Sequence, residues 1–394
     1  MHHDPVVIVS AKRTPIGAFQ GVFSSVTAPQ LGAAAIRGAI DAAAIKPEMV
    51  SDVIMGCVLP AGLGQAPARQ AALAGGLPQS VPTTTINKMC GSGMKAVMMA
   101  ADALLAGQAN ILVAGGLESM TNAPYLLPKA RGGYRMGHGE VLDHMFLDGL
   151  QSPWDKQMMG CFAENTADKY QFSRAAQDAF ATQSVQKSLQ AVAAGAFNHE
   201  ITPVTVKGRK GDTIVSQDET PFACDVSKIA SMKPAFRKDG TVTAASSSSI
   251  SDGAAALVLM RASTAQTLGL KPLAQIVAYH SHAHEPEWFT TAPVGAIAKT
   301  LQTAGWDAAQ VDLWEINEAF ATVTMAAVAE HHLDMAKVNV HGGACALGHP
   351  IGATGARILA TLTHALVLHN KTRGVASLCI GGGEATAMAI ERIV

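Results

Sequence analysis

An α/β fold of two similar halves, with a loop domain inserted between them, is what the sequence predicts, and three observations carry it. Short runs rich in Val, Ile and Leu alternate with alanine-rich runs at the beginning of the 394-residue chain and again toward its end. From 119 to 249 the texture changes to Gly, Pro, Met, charged and polar residues. The order of elements before that stretch recurs after it, and each half places a cysteine beside glycines, as an old duplication around one shared site would. The division predicted is 1–118 with 250–271 for the first half, 119–249 for the insertion and 272–394 for the second half.

Taken in order, "VVIVSA" near the start reads as a strand, Leu31 to Ala44 as a helix, "VIMGCVL" as a strand and Ala66 to Ala74 as a helix. The strand "TTTIN" then leads into a helix from Met94 to Ala106, and "ILVAGG" closes the series. The Met94 helix carries almost no charge and is apolar nearly all round, so it should be buried between layers. Within the insertion, 161–170 and 174–193 read as amphipathic helices. The α/β texture resumes at "DGAAALVLM". It continues through "LAQIVAYH", a helix from Val294, "VDLWEI", a helix from Ala319, "KVNVHGG" as a strand, a helix from Ile351, and "VASLCIGGG".

Composition narrows the function classes. A 48% hydrophobic content supports large cores, while 15% charged residues and a formal net charge of -1 give no field that would draw nucleic acid or an anionic membrane. A small ligand is the expected partner. No stretch reads as a transmembrane span, and "MHHDPVVIVSAKR" lacks the pattern of a secretory leader. Six cysteines, Cys57, Cys90, Cys161, Cys224, Cys345 and Cys379, lie far apart without a Cys-x-x-Cys pair. That suits reduced thiols in a cytoplasm-like compartment, and a cytoplasmic location is expected.

"NKMCGSGMKA" puts Cys90 at the start of the Met94 helix, where free backbone N–H groups and the positive end of the helix dipole favour an anion. A thiol there should lean toward the thiolate. Taken alone, the same residue also reads as a buried structural cysteine, the commonest fate of a free one. Gly91, Gly93 and Ala96 also have the spacing of a dinucleotide fingerprint, although Lys95 and the lack of an acidic residue at the expected distance break that context. Elsewhere, His280, His282 and His284 in "YHSHAHE" would share a strand face and could ligate a metal; a solvated edge or inter-subunit surface is the preferred reading, and no metal is expected.

Three more segments settle the choice at Cys90: "NEAF" (Asn317 to Phe320), "GGACALGHPIGATGAR" (Gly342 to Arg357) and "LCIGGGEA" (Leu378 to Ala385). Together with "IVSAKRTPIGAFQG", "GLGQAPARQAAL", "GGLESMTNAPYLLPKARGGYRMG" and "AFRKDGTVTA", they make the chain resemble the thiolase family over essentially its full length. The resemblance implies a thiolase fold in αβαβα layers, assembly as a homotetramer or dimer, and acyl transfer between coenzyme A thioesters in fatty acid metabolism. Two acetyl-CoA would condense to acetoacetyl-CoA, or a 3-ketoacyl-CoA would be cleaved, through an acyl-cysteine. Coenzyme A would be substrate and product, with no permanently bound cofactor. A longer-chain degradative thiolase is the alternative, and a non-catalytic acyl-binding relative a more distant one. A decarboxylating condensing enzyme also uses an active-site cysteine but lacks the second one in "CIGGG".

By that resemblance, Cys90 carries the acyl group, His349 takes its proton, and Cys379 moves the α-proton of the acetyl unit. Asn317 would fix a water that joins His349 in holding the enolate-like oxygen. Backbone N–H groups of Cys90 and Gly381 would form the second oxyanion hole, which explains the glycines around both cysteines. Ser248 and Phe236 would hold the pantetheine arm, with Ala319 and Phe320 beside it. "AASSSSISD" stands where "AGNASGIND" is common in the family, yet Ser248 survives. In "QMMGCFAEN", Met158 takes the place of a histidine frequent in enzymes that favour acetoacetyl-CoA, and Phe289 that of a methionine. Losing the imidazole makes the acyl pocket more apolar and Phe289 adds apolar surface for a longer chain; the alternative is that Phe289 blocks the tail and Met158 merely fills space.

Overall fold

The structure, a computed structural model, describes residues 4–393. Its first half runs β1 (Val6–Arg13), α1 (Ala28–Ala43), β2 (Asp52–Gly56), α2 (Pro67–Ala74), β3 (Thr83–Ile86), α3 (Ser92–Leu105), β4 (Ile111–Ser119) and, after residues 120–250, β5 (Ser251–Arg261). These strands pair in the order β3-β2-β4-β5-β1. Between β4 and β5 lie α4 (Met159–Tyr170) and α5 (Arg174–Ala193) with several short elements.

The second half repeats the scheme. It runs β6 (Ala274–Ala283), α6 (Ala292–Ala304), β7 (Leu313–Ile316), α7 (Ala321–His331), α8 (Thr354–Leu368), β8 (Arg373–Ile380) and β9 (Glu384–Arg392), with the strands ordered β7-β8-β9-β6. "KVNV" supplies no full strand. Val338 makes only a parallel bridge to Trp314, because Asn339 spends its side chain on the backbone N–H and C=O of Ile316 at 2.8 Å each and turns the chain away. The two half-sheets meet where Val7 and Ile8 of β1 pair with Gln275 and Ala274 of β6, which joins them into one continuous sheet.

Five layers result. α1 and α2 cover the outer face of the first half-sheet with Leu31, Ile36 and Ala39 against Val53, Val113 and Val258. α6 and α7 cover the second with Ile297, Leu301 and Ala327 against Trp314 and Val375. α3 and α8 lie in the middle, where Met94, Val97 and Met98 pack with Ile358, Leu359 and Leu362 between both sheets. A helix apolar on all sides has no other stable place. Glycine lets these layers close up: a Cβ on Gly116 would overlap the backbone oxygen of Gly352, and one on Gly93 would stand 2.7 Å from the Ala356 nitrogen.

α5 is less amphipathic than its pattern suggests. Its buried face carries Gln177, Ser184 and Ser188 beside Phe180 and Val185. Those polar groups are accommodated by specific bonds: Ser184 to Glu318 at 2.6 Å and Ser188 to the carbonyl of His341 at 3.1 Å.

Candidate active site

The turn before α3 is held by its own polar groups. Lys88 N donates to Ser92 Oγ (2.8 Å), Ser92 Oγ donates to the Met89 carbonyl (2.6 Å), and Met89 adopts a left-handed φ of 47°. The Lys88 ammonium also reaches across to Glu384 of the second half at 2.7 Å. Cys90 therefore leaves the turn just before the helix N-cap, Gly91, with its side chain open to a cavity of about 540 Å³.

That cavity gathers nearly every residue the sequence singled out. Cys90, His349, Cys379, Gly381, Ser248, Phe236, Met158, Phe289, Ala319 and Phe320 all line it, although they come from both halves and the insertion. Asn317 is fully buried at the end of β7, its backbone N–H bonded to the Ser377 carbonyl at 2.9 Å. Its side-chain Nδ2 has no partner.

The two cysteines sit close enough for Cys90 to act on the charge of Cys379, and the backbone N–H groups of Gly381 and Cys90 act on the Cys90 sulfur in the sense that favours thiolate. The expected lean toward thiolate is not found. Burial pushes the Cys90 thiol up to about 11, outweighing the opposing pull of the Gly381 and Cys90 N–H groups. Cys379, raised first by burial and then by its neighbour Cys90, lies well above an ordinary thiol.

His349 is set to act as a base. Its backbone N–H donates to the Ser249 carbonyl at 3.2 Å, and its Nδ1 lies 2.7 Å from Thr354 Oγ1. The Thr354 hydroxyl spends its one proton on the Pro350 carbonyl at 2.9 Å, so it accepts from His349 Nδ1–H. Nε2 is then left with a free lone pair and no partner in the protein. Burial, with the nearby Arg357 charge, pushes the imidazole down to about 3, which keeps it neutral with its lone pair free, though a weaker base than an ordinary imidazole.

The sequence reading missed three groups around this core. Thr354 is one. Glu118, fully buried in β4, accepts the N–H groups of Val58 (3.0 Å), Leu59 (3.1 Å) and Gly352 (2.9 Å), so it ties the His349 loop to the first half. Burial pushes this carboxyl up to about 7 against those bonds. Met159, next to Met158, places its sulfur 3.5 Å from where a Gly381 Cβ would stand. A cavity of about 300 Å³ adjoins the first and shares Gly149, Met159 and Gly381 with it.

The cavity wall at 246–248 is pinned to the "NEAF" turn. Ser247 bridges Phe320, Ser248 N donates to the Ala319 carbonyl at 2.9 Å, and Ala321 N donates to the Ser246 carbonyl at 2.8 Å. Phe236 stacks edge-on against Phe320 at 5.9 Å and lies over Gly160, where any Cβ would overlap its ring. That explains the glycine after the two methionines. Phe289 packs edge-on against Phe162 at 6.1 Å.

His280, His282 and His284 lie apart from this site. β6 pairs with β9 along its length but with β1 only at its start, which leaves its outer part as a sheet edge. His280 bonds Thr303 Oγ1 at 2.7 Å and His284 bonds the Trp288 carbonyl at 2.8 Å. Among the described residues no group of three or more His, Cys, Asp or Glu is placed to hold a metal.

The chain matches the family patterns "Thiolase, N-terminal domain" over residues 6–263 and "Thiolase, C-terminal domain" over residues 270–392. It is 49% identical over 389 residues to an acetyl-CoA acetyltransferase of Cupriavidus necator, covering 98% of this chain and 99% of that one. It is 51% identical over 389 residues to an acetyl-CoA acetyltransferase of Escherichia coli, with 98% and 99% covered. The crystal structure of the Bacillus anthracis acetyl-CoA acetyltransferase superposes with a TM-score of 0.97 at 42% identity, covering 99% of both chains. With the two cysteines, the histidine and the paired N–H groups gathered in one cavity, the chain belongs to the thiolase family.

Proposed function

We propose that the protein is an acyl-CoA C-acyltransferase that cleaves 3-ketoacyl-CoA with coenzyme A and, in reverse, condenses two acetyl-CoA to acetoacetyl-CoA. The observation that carries this reading is Cys90, Cys379, Gly381 and the unpartnered His349 Nε2 at one cavity.

In the cleavage direction, the Cys90 proton passes to His349 Nε2 as the sulfur attacks the 3-keto carbon. The tetrahedral oxygen is held by the N–H groups of Cys90 and Gly381. The carbon–carbon bond breaks, leaving the acyl group on Cys90 and an enolate of acetyl-CoA, whose oxygen faces His349 and a water held by Asn317. The Cys379 thiol protonates the enolate carbon. A thiol raised well above its ordinary value is ready for that donation. Incoming coenzyme A then gives its proton to the Cys379 thiolate and attacks the acyl carbon. Cys90 leaves as thiolate and recovers its proton from His349. Condensation is the microscopic reverse.

Ser248 and Phe236 receive the pantetheine arm, with Ala319 and Phe320 as its floor. Met158 and Phe289 line the acyl end, and the adjoining 300 Å³ cavity, reached past the flexible Met159, supports acceptance of chains longer than four carbons. The division into two halves, with 119–249 as an inserted loop domain covering the site, is part of the same reading. A homotetramer is supported by the exposed apolar side chains Tyr125, Leu127, Met136, Val141 and Trp154 on that insertion, and a cytoplasmic location by six free thiols.

The test is a steady-state assay with purified protein in both directions across acyl-CoA lengths. Turnover of acetoacetyl-CoA with coenzyme A is expected; absence of both thiolysis and condensation refutes the reading.

A further inference from the structure

The "GHPIGATGAR" segment ends on a residue the mechanism leaves unused. Arg357 sits on α8 with only 2% of its surface exposed, and its guanidinium is thinly partnered. Nη2 donates to Asn317 Oδ1 at 3.4 Å, Nη1 lies 3.6 Å from Glu315 Oε2, and Nε has no hydrogen-bond partner. A buried cation with so few bonds is costly to fold around, which sets it apart from Arg13, whose guanidinium is bonded to both Glu200 and Asp218.

What Arg357 does contact is informative. A side-chain amide can present either its oxygen or its nitrogen in a given direction, and a guanidinium offers donors alone, so only Oδ1 can face it. Nδ2 of Asn317 is then turned away as a donor, buried and unpartnered, as is Nε2 of His349. Arg357 is also the one charge acting on His349 besides the effect of burial. Glu315 balances it only in part: burial pushes that carboxyl up to about 8, toward the neutral form. Glu200, Glu318 and Arg13 are the other charges within reach of Arg357.

We propose that Arg357 is a positioning residue for the carbon–carbon step: it fixes the Asn317 amide with its N–H side toward the enolate oxygen and places a positive charge behind it. This rests on the role given to Asn317 above. It explains why a buried arginine with an incomplete set of bonds stands at this point of α8. It also separates the two half-reactions, because acyl transfer to Cys90 uses the N–H groups of Cys90 and Gly381 rather than Asn317.

The experiment compares those half-reactions in Arg357→Gln, in Arg357→Lys and in the double variant Glu315→Gln/Arg357→Gln. The double variant removes the charge pair together, so no unpaired carboxylate is left inside if the single change fails to fold. Single-turnover acetylation of Cys90 by acetyl-CoA should not fall by more than about threefold, since removing the charge that holds His349 down cannot weaken it as the base. Cleavage of acetoacetyl-CoA should fall roughly ten- to a thousandfold, as when an oxyanion donor is lost. Lysine should restore part of it. Adding Arg357→Gln to Asn317→Ala should lower cleavage by less than about threefold more, since both act through one amide. Parallel loss of both half-reactions, or losses at 317 and 357 that multiply, overturns the proposal. If the unmodified protein acetylates Cys90 but cleaves no ketoacyl-CoA, the functional reading beneath it fails instead.

Discussion

Replacing Thr354 by Val tests how the base is prepared. The two side chains are nearly the same size, so the change removes the hydroxyl and little else. In the native site that hydroxyl lies 2.7 Å from His349 Nδ1 and donates to the Pro350 carbonyl at 2.9 Å, which makes it an acceptor for Nδ1–H. With Val, the ring must either keep Nδ1–H buried and unpaired or move the proton to Nε2, where it blocks the lone pair that takes the Cys90 proton. Leaving a buried donor unpaired costs about 1–3 kcal/mol. If that cost falls on the reactive tautomer, acylation slows by roughly 5- to 150-fold, at 1.36 kcal/mol per factor of ten. Rapid-quench intact mass of Cys90 acetylation at saturating acetyl-CoA measures it directly. Thr354→Ser, which keeps the hydroxyl, should recover to within about threefold. A Val variant that acylates at the native rate with an unchanged melting temperature would show that the hydroxyl does not select the tautomer.

Other outcomes follow from the same geometry. Cys379→Ser should still acetylate at Cys90 while thiolysis and condensation drop by about two to four orders of magnitude, as expected for loss of an acid–base group; full turnover would remove Cys379 from that role. The unmodified protein should cleave ketoacyl-CoA longer than four carbons with comparable or better kcat/KM, since each buried methylene is worth about 0.8 kcal/mol. Met158→His should shift the preference back toward acetoacetyl-CoA, and strict four-carbon specificity of the native protein would contradict the reading of the pocket. Gly116→Ala should destabilise the protein by about 3 kcal/mol or more, because the new methyl meets the Gly352 backbone oxygen rather than a movable side chain; calorimetry showing no loss would mean that the layers can part.

Much of this was legible in the chain because local pattern and tertiary role agree. The Met94 run is apolar apart from Lys95 and Asp102, so it reads as a central helix, and it is one. Cys90, His349 and Cys379 stand in short glycine-rich segments whose spacing is a property of the sequence, and they meet in one cavity. What stayed hidden depends on partners far along the chain. Glu118 looks like an ordinary acid in "GGLESM"; its function in the fold is visible only once Gly352, 234 residues away, donates to it. The Asn317 contact to Arg357 spans 40 residues. "KVNV" carries strand propensity, but Asn339 captures the backbone of Ile316 and ends the pairing at Val338. At Cys90 the start of a helix could be read from the sequence, whereas the burial that pushes the thiol up could not.

Intact mass of the protein after brief mixing with acetyl-CoA, followed by peptide mapping, tests the central claim most directly. One acetyl group per chain, located on Cys90 and discharged by added coenzyme A, is the predicted result. An adduct on another residue, or none in a preparation that turns over acetoacetyl-CoA, would contradict it.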